Sequence, residues 1–292
     1  MTTAARYIPS STDIARLAKS GARHKYDYGH AVIVSGPPGQ GGAARLAARG
    51  ALRVGAGLVS VLCGADSVAE HAARLDAIMV KPFAGGEDIG RQLAGLNPSA
   101  LCIGPNLGLT ARAGDLLDAT LSLPHPVCLD ADAITLIAER EAPYAGPFPA
   151  QTIMTPHAGE LRRLIPHRFD TTTNRETLAR MAAERWGCVI LFKGVETIIA
   201  HPDGRCLTVA STAFAHAAWL ATAGSGDVLA GIITGLLARG CDAMEAGALG
   251  ATLHLLCAAE CGPGLIAEDL PEALPAVLRH LLSEPDDGPA PR

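Results

Sequence analysis

Residues 221–231, Ala-Thr-Ala-Gly-Ser-Gly-Asp-Val-Leu-Ala-Gly, bring one acid to the end of a run of small residues and pass at once into an apolar helical pattern. Such a turn offers several free backbone N–H groups at a helix N-terminus, where a phosphate can be held. Gly224, Ser225 and Gly226 read as that cradle. A carboxylate placed there is repelled by the phosphate, so Asp227 reads as a base or a substrate anchor. The chemistry that fits is phosphoryl transfer to the hydroxyl of a small molecule.

Four further turns carry candidate groups. Lys193-Gly194-Val195-Glu196-Thr197 follows a strand-like run. Lys193 is a compact charge suited to a phosphate, Gly194 permits close approach, and Thr197 offers a hydroxyl. The run 36–43, GPPGQGGA, resembles a P-loop only at first sight. Gly42 and Ala43 stand where Lys and Ser/Thr are required, and no G-x-G-x-x-G fits the turn either. It remains a long glycine-rich connection that lets a substrate approach the backbone. The run 101–108 is a second strand-then-glycine turn, with Gly104, Asn106 and Gly108. The run 127–133 ends a strand in two carboxylates. Asp130 points toward a site beside Mg²⁺ or bound water, and Asp132 reads equally as a helix cap. In 155–160, TPHAGE, His157 sits at a strand end on the same edge as the other turns, and Glu160 reads as a first-turn acid.

These turns need a frame that brings strand ends together. Strands are expected at 31–36, 58–63, 77–80, 100–103, 126–129, 152–154, 188–192, 197–200 and 205–209, the last two joined by a Pro202-Asp203-Gly204 hairpin. Helices are expected at 13–19, 41–57, 174–186, 225–239, 242–261 and 268–282. Alternating β and α elements imply an α/β fold: a mostly parallel central sheet with helices on both faces. Ligands of such sheets gather beyond the carboxyl ends of the strands. Residues 1–25 read as an N-terminal arm, 26–283 as one domain, and the Pro/Asp-rich stretch 284–292 as a disordered tail.

Composition narrows the partners. The 292 residues are 49% hydrophobic and 4% aromatic, with a net charge of −5. No basic block stands out, so nucleic acid is not an expected partner. No apolar run reads as a signal peptide or a bilayer span, and a cytoplasmic protein is expected. The eight cysteines form no C-x-x-C pair, so they read as reduced thiols rather than a zinc site. The Ala-rich helices suit a homo-oligomer.

Taken in order, the turns resemble the NAD(P)H-hydrate dehydratase family of the ribokinase-like superfamily. The resemblance runs from about His24 to Leu282. It rests on 24–30 (HKYDYGH), 41–48 (GGAARLAA), 51–59 (ALRVGAGLV), 129–133, 155–160, 193–197 and 221–231. It implies a three-layer αβα fold and a hydro-lyase that restores NADH or NADPH from its hydrated form with ADP or ATP, ADP being typical of bacterial members. By position, Lys193, Gly194, Val195, Glu196 and Thr197, with Gly226, would bind the nucleotide. Ala43, the Gly104–Gly108 turn, His157 and Asp227 would contact the hydrated nicotinamide nucleotide. Mg²⁺ would accompany the nucleotide.

Two departures stand out. Asn106 replaces the middle glycine of the family's G-P-G-L-G turn, and Asn tolerates left-handed backbone better than most residues. The lead-in 213–220, AFAHAAWL, lacks the Asn or Gly/Pro expected before the signature turn. Many bacterial relatives carry a fused N-terminal epimerase domain, for which the arm is too short: the chain reads either as a stand-alone dehydratase, with a separate epimerase as companion, or as one domain of a longer protein. The rival readings are a thiazole-type or hydroxymethylpyrimidine-type kinase and a nucleotide-binding protein without turnover.

Overall fold

The computed structural model describes residues 4–83, 89–139 and 148–283. Within these, ten strands join in one sheet: β1 (Ala5–Arg6), β2 (His30–Val34), β3 (Leu58–Gly64), β4 (Met79–Phe83), β5 (Ala100–Ile103), β6 (Val127–Leu129), β7 (Thr152–Met154), β8 (Val189–Phe192), β9 (Glu196–Ala200) and β10 (Cys206–Ala210). The helices are α1 (Ser11–Leu17), α2 (Gly42–Arg53), α3 (Val68–Ala72), α4 (Ile89–Gly95), α5 (Ala111–Leu121), α6 (Asp132–Ala138), α7 (Ala158–Leu164), α8 (Pro166–Phe169), α9 (Arg175–Trp186), α10 (Ser225–Ala238), α11 (Ala243–Cys261) and α12 (Asp269–Ser283).

The strand order is β1-β10-β9-β8-β7-β6-β5-β2-β3-β4. Among the described strands only β9 runs antiparallel to its neighbours. Strands buried on both faces must be apolar on both, which is why β2, β5 and β8 read as unbroken hydrophobic runs. Alternate residues feed two cores. Ala31, Ile33, Val61, Cys102 and Leu191 pack under α2, α10, α11 and α12. Val32, Val34, Leu101, Ile103 and Phe192 pack under α5, α6, α7 and α9. This is the expected three-layer αβα arrangement.

The first core depends on small residues. Ala44, Ala47, Ala48 and Ala51 of α2 are fully buried against α10. A Cβ added to Gly231 would lie 1.9 Å from the Ala47 carbonyl oxygen, so the two helices touch backbone to backbone. That contact brings the starts of α2 and α10, which carry Ala43 and Asp227, to one edge of the sheet.

Differences from the expected elements lie at short or irregular segments. Helix α2 stops at Arg53 rather than 57, because the chain turns through Gly55 at φ 107 into β3. The strand expected at 77–80 starts two residues later. Strand β1, too short to show a period, pairs with β10 within the stretch read as an arm. The 202–204 turn joins β9 to β10, with His201 N donating to Arg205 O at 2.9 Å. The expected tail, 284–292, lies outside the described residues. All eight cysteines are free, as expected, seven of them buried.

Candidate active site

Parallel strands end on a common edge, and their ladder continues into the turns. Asp130 N donates to Ile103 O at 3.2 Å, Thr155 N to Leu129 O at 3.0 Å, and Lys193 N to Pro156 O at 2.9 Å. The turns after β5, β6, β7 and β8 are thus stitched side by side. The turn after β2 joins them: a Cβ on Gly36 would lie 1.7 Å from the Asn106 carbonyl oxygen.

Lys193 lies at the centre. Its Nζ donates to Asp130 Oδ1 at 2.8 Å, and Thr155 Oγ1 donates to the same oxygen at 2.6 Å. The Asp130 side chain is 3% exposed and that of Lys193 is 23% exposed. Burial opposes the ammonium charge, but the carboxylates of Asp130 and Glu160 outweigh it and hold the Lys193 pKa above the usual lysine value. Arg175, from α9, clamps the turn that follows. Its Nη2 reaches the carbonyl oxygens of Phe192, Lys193 and Glu196 at 3.3, 2.9 and 3.2 Å, and its guanidinium stacks on the Phe192 ring.

Opposite this lysine begins α10. Gly224 takes φ 88, a conformation that favours glycine, and gives the helix no side-chain cap. The first-turn amides are therefore left without a side-chain oxygen, which is the condition for binding an anion. A Cβ on Gly226 would lie 3.6 Å from Lys193 Nζ, so the ammonium and the helix start face one space. Asp227 is half-buried in that first turn. Burial, with the charges of Asp130 and Asp132, outweighs Lys193 and raises its pKa from the usual carboxylate value to about 7.

The remaining turns are fixed by their own hydrogen bonds. Asp132, read as a possible helix cap, is instead the first residue of α6, and its Oδ2 accepts from Gly108 N at 2.8 Å. Ala131 between the two acids takes φ 47, ψ −115, a strained backbone for a residue with a Cβ. Asn106 takes φ 49, the left-handed conformation expected of it. His157 caps α7. Its Nδ1 accepts from the amides of Gly159 and Glu160 at 2.9 and 3.2 Å, while Glu160 Oε2 accepts from His157 N. Its side chain is 57% exposed, with Nε2 3.4 Å from Glu160 Oε1.

Six of the eight residues expected at the nucleotide line one cleft of about 770 Å³: Lys193, Gly194, Val195, Thr197, Ser225 and Gly226. Glu196 is exposed at the start of β9, and Gly224 packs against Leu46 and Ala267. Gly108 lines a second cavity of about 260 Å³ with Ser35, Pro37, Gln40 and Phe83. Ala43, Gly104, Asn106, His157 and Asp227 line neither of these two spaces. Sequence reasoning gave no role to Thr155, Arg175 or His254. Thr155 lay within a quoted motif, but Arg175 and His254 are single polar residues on helices with no local signature. His254 lines the cleft from α11, and burial lowers its pKa to about 4, so the ring is neutral.

The chain resembles known proteins in both sequence and fold. The family model described as NAD(P)H-hydrate dehydratase matches residues 31–275. The chain is 34% identical to the bifunctional NAD(P)H-hydrate repair enzyme of Salinibacter ruber, over 95% of this chain and 54% of that protein. It is 37% identical to the enzyme of the same name from Gloeobacter violaceus, over 80% and 45%. The chain thus spans about half the length of these curated relatives. Among solved structures, the ADP/ATP-dependent NAD(P)H-hydrate dehydratase of Bacillus subtilis, co-crystallised with ATP and Mg²⁺, superposes with a TM-score of 0.73 at 27% identity, covering 94% of this chain and 99% of that one. A ribokinase-like superfamily protein from Enterococcus faecalis gives a TM-score of 0.77 at 25% identity, covering 94% and 96%. With these turns on one edge of a ribokinase-like αβα fold, the chain belongs to the NAD(P)H-hydrate dehydratase family.

Proposed function

We propose that this chain restores NADH and NADPH from their hydrated forms at the expense of ADP or ATP, with ADP the expected donor. The observation that carries the reading is the apposition of Lys193, held by Asp130 and Thr155, to the uncapped first turn of α10 with Asp227. The Bacillus subtilis dehydratase, which matches over nearly its whole length, supports it.

Hydroxide is a poor leaving group at neutral pH, whereas phosphate is a good one. The hydroxyl oxygen of the hydrated ring attacks the terminal phosphorus of the nucleotide, and the bond to the bridging oxygen breaks. Asp227 takes the hydroxyl proton, a role for which a pKa of about 7 is suited. The amides of the α10 first turn and the Lys193 ammonium stabilise charge on the phosphoryl group in flight. AMP leaves when ADP is the donor, and ADP leaves when ATP is. The lone pair of the ring nitrogen then expels phosphate, and loss of the proton on the neighbouring carbon rebuilds the double bond. His157, Ala43, Gly104, Asn106 and Gly108 are the proposed contacts to the nicotinamide nucleotide.

Among the described residues no group of three or more His, Cys, Asp or Glu side chains is arranged to hold a metal ion. Asp130 Oδ1 is already bonded to Lys193 and Thr155. We therefore assign Asp130 as the charge partner of Lys193 rather than as a Mg²⁺ ligand. Mg²⁺ belongs to the nucleotide substrate, where it neutralises phosphate oxygens. Among the described residues no helix is long and apolar enough to cross a membrane. We place the enzyme in the cytoplasm, as a homo-oligomer with an NAD(P)H-hydrate epimerase as its companion.

The test is recovery of reduced-nicotinamide absorbance from hydrated NADH, with ADP and ATP in parallel. Recovery matched by AMP and phosphate from ADP, or by ADP and phosphate from ATP, supports the reading. Accumulation of a stable phosphorylated metabolite would instead mark a small-molecule kinase. Nucleotide binding with no turnover would mark a silent binding protein.

A further inference from the structure

We propose that Trp219 is the stacking platform for the base of the phosphoryl donor, and hence a residue that sets the affinity of the cleft for the nucleotide. The inference rests on the nucleotide reading above and extends it to the apolar lining of the same cleft.

The cleft lining is of two chemical kinds. Lys193, Ser225 and Gly226 supply an ammonium and helix-start amides, while Phe214, Trp219, Leu220, Leu229 and Leu255 supply apolar surface. A nucleoside diphosphate has the same division: charged phosphates at one end and a flat heterocycle at the other. With the phosphates on Lys193, the apolar part of the lining is left for the base.

Trp219 is the residue there best shaped to receive it. The chain has only two tryptophans. Trp186 is structural: its Nε1 donates to Leu164 O at 3.2 Å, and its ring packs beside Phe148. Trp219 is 46% exposed, although burying a large aromatic side chain ordinarily stabilises the fold. Among the described residues its indole has neither a ring partner nor a hydrogen-bond partner. An aromatic face left open inside a ligand cleft is a surface to which a base can add.

The backbone that carries the ring is also tied to the start of α10. Ser225 Oγ, in the first residue of α10, donates to the Leu220 carbonyl oxygen at 2.6 Å. Trp219 N donates to His216 O at 2.9 Å, closing a turn that His216 enters at φ 61. That turn packs on α11. The platform and the amide cradle are therefore one unit, with their separation set by hydrogen bonds rather than by a free loop.

The experiment compares ADP and inorganic pyrophosphate binding by calorimetry, each as its Mg²⁺ complex, in the wild-type protein, Trp219→Ala and Trp219→Phe. Stacking predicts that Trp219→Ala weakens ADP about 5- to 100-fold, leaves pyrophosphate within about 2-fold, and is largely rescued by Trp219→Phe. In a Trp186→Phe protein, ADP should quench the fluorescence of Trp219 with the midpoint found by calorimetry. Unchanged ADP affinity in Trp219→Ala would overturn the inference, as would equal losses for ADP and pyrophosphate. If Trp219→Ala fails to fold, the absence of any ADP-dependent change in Trp219 fluorescence, with ADP binding intact, overturns it. Failure of the wild-type protein to bind ADP at all would instead remove the nucleotide reading itself.

Discussion

At Asp227, burial and two neighbouring carboxylates outweigh one ammonium. With a pKa of about 7, the group is poised as a base at neutral pH. The logarithm of kcat/KM is expected to rise with unit slope below about pH 7 and to level above it, which a pH–rate profile measures. Asp227→Asn should lower kcat/KM by at least about 10²- to 10⁴-fold while leaving the ADP dissociation constant within about 3-fold. The same shift acts on stability. The folded chain keeps this proton up to about pH 7, whereas the unfolded chain releases it near pH 4, so folding stability falls as pH rises between them. Asp227→Asn should therefore be the more stable protein at pH 8, by ~4 kcal/mol at most at 1.36 kcal/mol per pKa unit, as read by denaturant unfolding. Lys193 behaves in the opposite way. Lys193→Met strands Asp130 in the interior and should cost about 3 kcal/mol, with loss of nucleotide binding. Adding Asp130→Asn should return much of the stability without the affinity. Asp227 and Lys193 were legible in the sequence because each stands in a glycine-bearing turn beside a regular element. Thr155, Glu160 and Arg175 were not assigned their roles beside Lys193, because those depend on neighbouring strands and on α9 folding against β8.

The elements hold these groups through close contacts that only small residues permit. Gly231 lets α10 lie against the Ala47 carbonyl of α2, and the two helix starts are placed by that contact. Gly231→Val should splay the pair, lowering stability by about 1–3 kcal/mol and kcat with it, as thermal unfolding and turnover together measure. The turn between β6 and α6 stores strain of the other kind. Ala131→Gly relieves a positive φ at the residue joining Asp130 to Asp132, and should stabilise the fold by roughly 1 kcal/mol. The glycine-rich and Ala-rich runs were visible in sequence, but which backbone each glycine meets was not. Asp132 illustrates the limit. An acid at a helix start reads as a cap, whereas its partner, Gly108 N, comes from the preceding strand's turn.

Over the whole molecule, the order of elements sets where chemistry can occur. The β-α alternation made the mostly parallel sheet and its ligand-bearing edge legible from the chain alone. Both cores then follow from the alternation of residues along each strand. A two-residue pairing such as β1 with β10 carries no period and emerges only when residues far apart in sequence meet. The clefts are likewise products of assembly, since the space beside Lys193 takes residues from the turn after β8 through α11. The central claim is that the ring hydroxyl leaves as phosphate, and the fate of its oxygen tests that directly. Hydrated NADH carrying heavy oxygen in the hydroxyl should yield inorganic phosphate that contains the label, one atom per NADH restored, as mass spectrometry reads it. Label recovered in water instead, with unlabelled phosphate, would contradict phosphorylation of the substrate and with it the role assigned to Asp227.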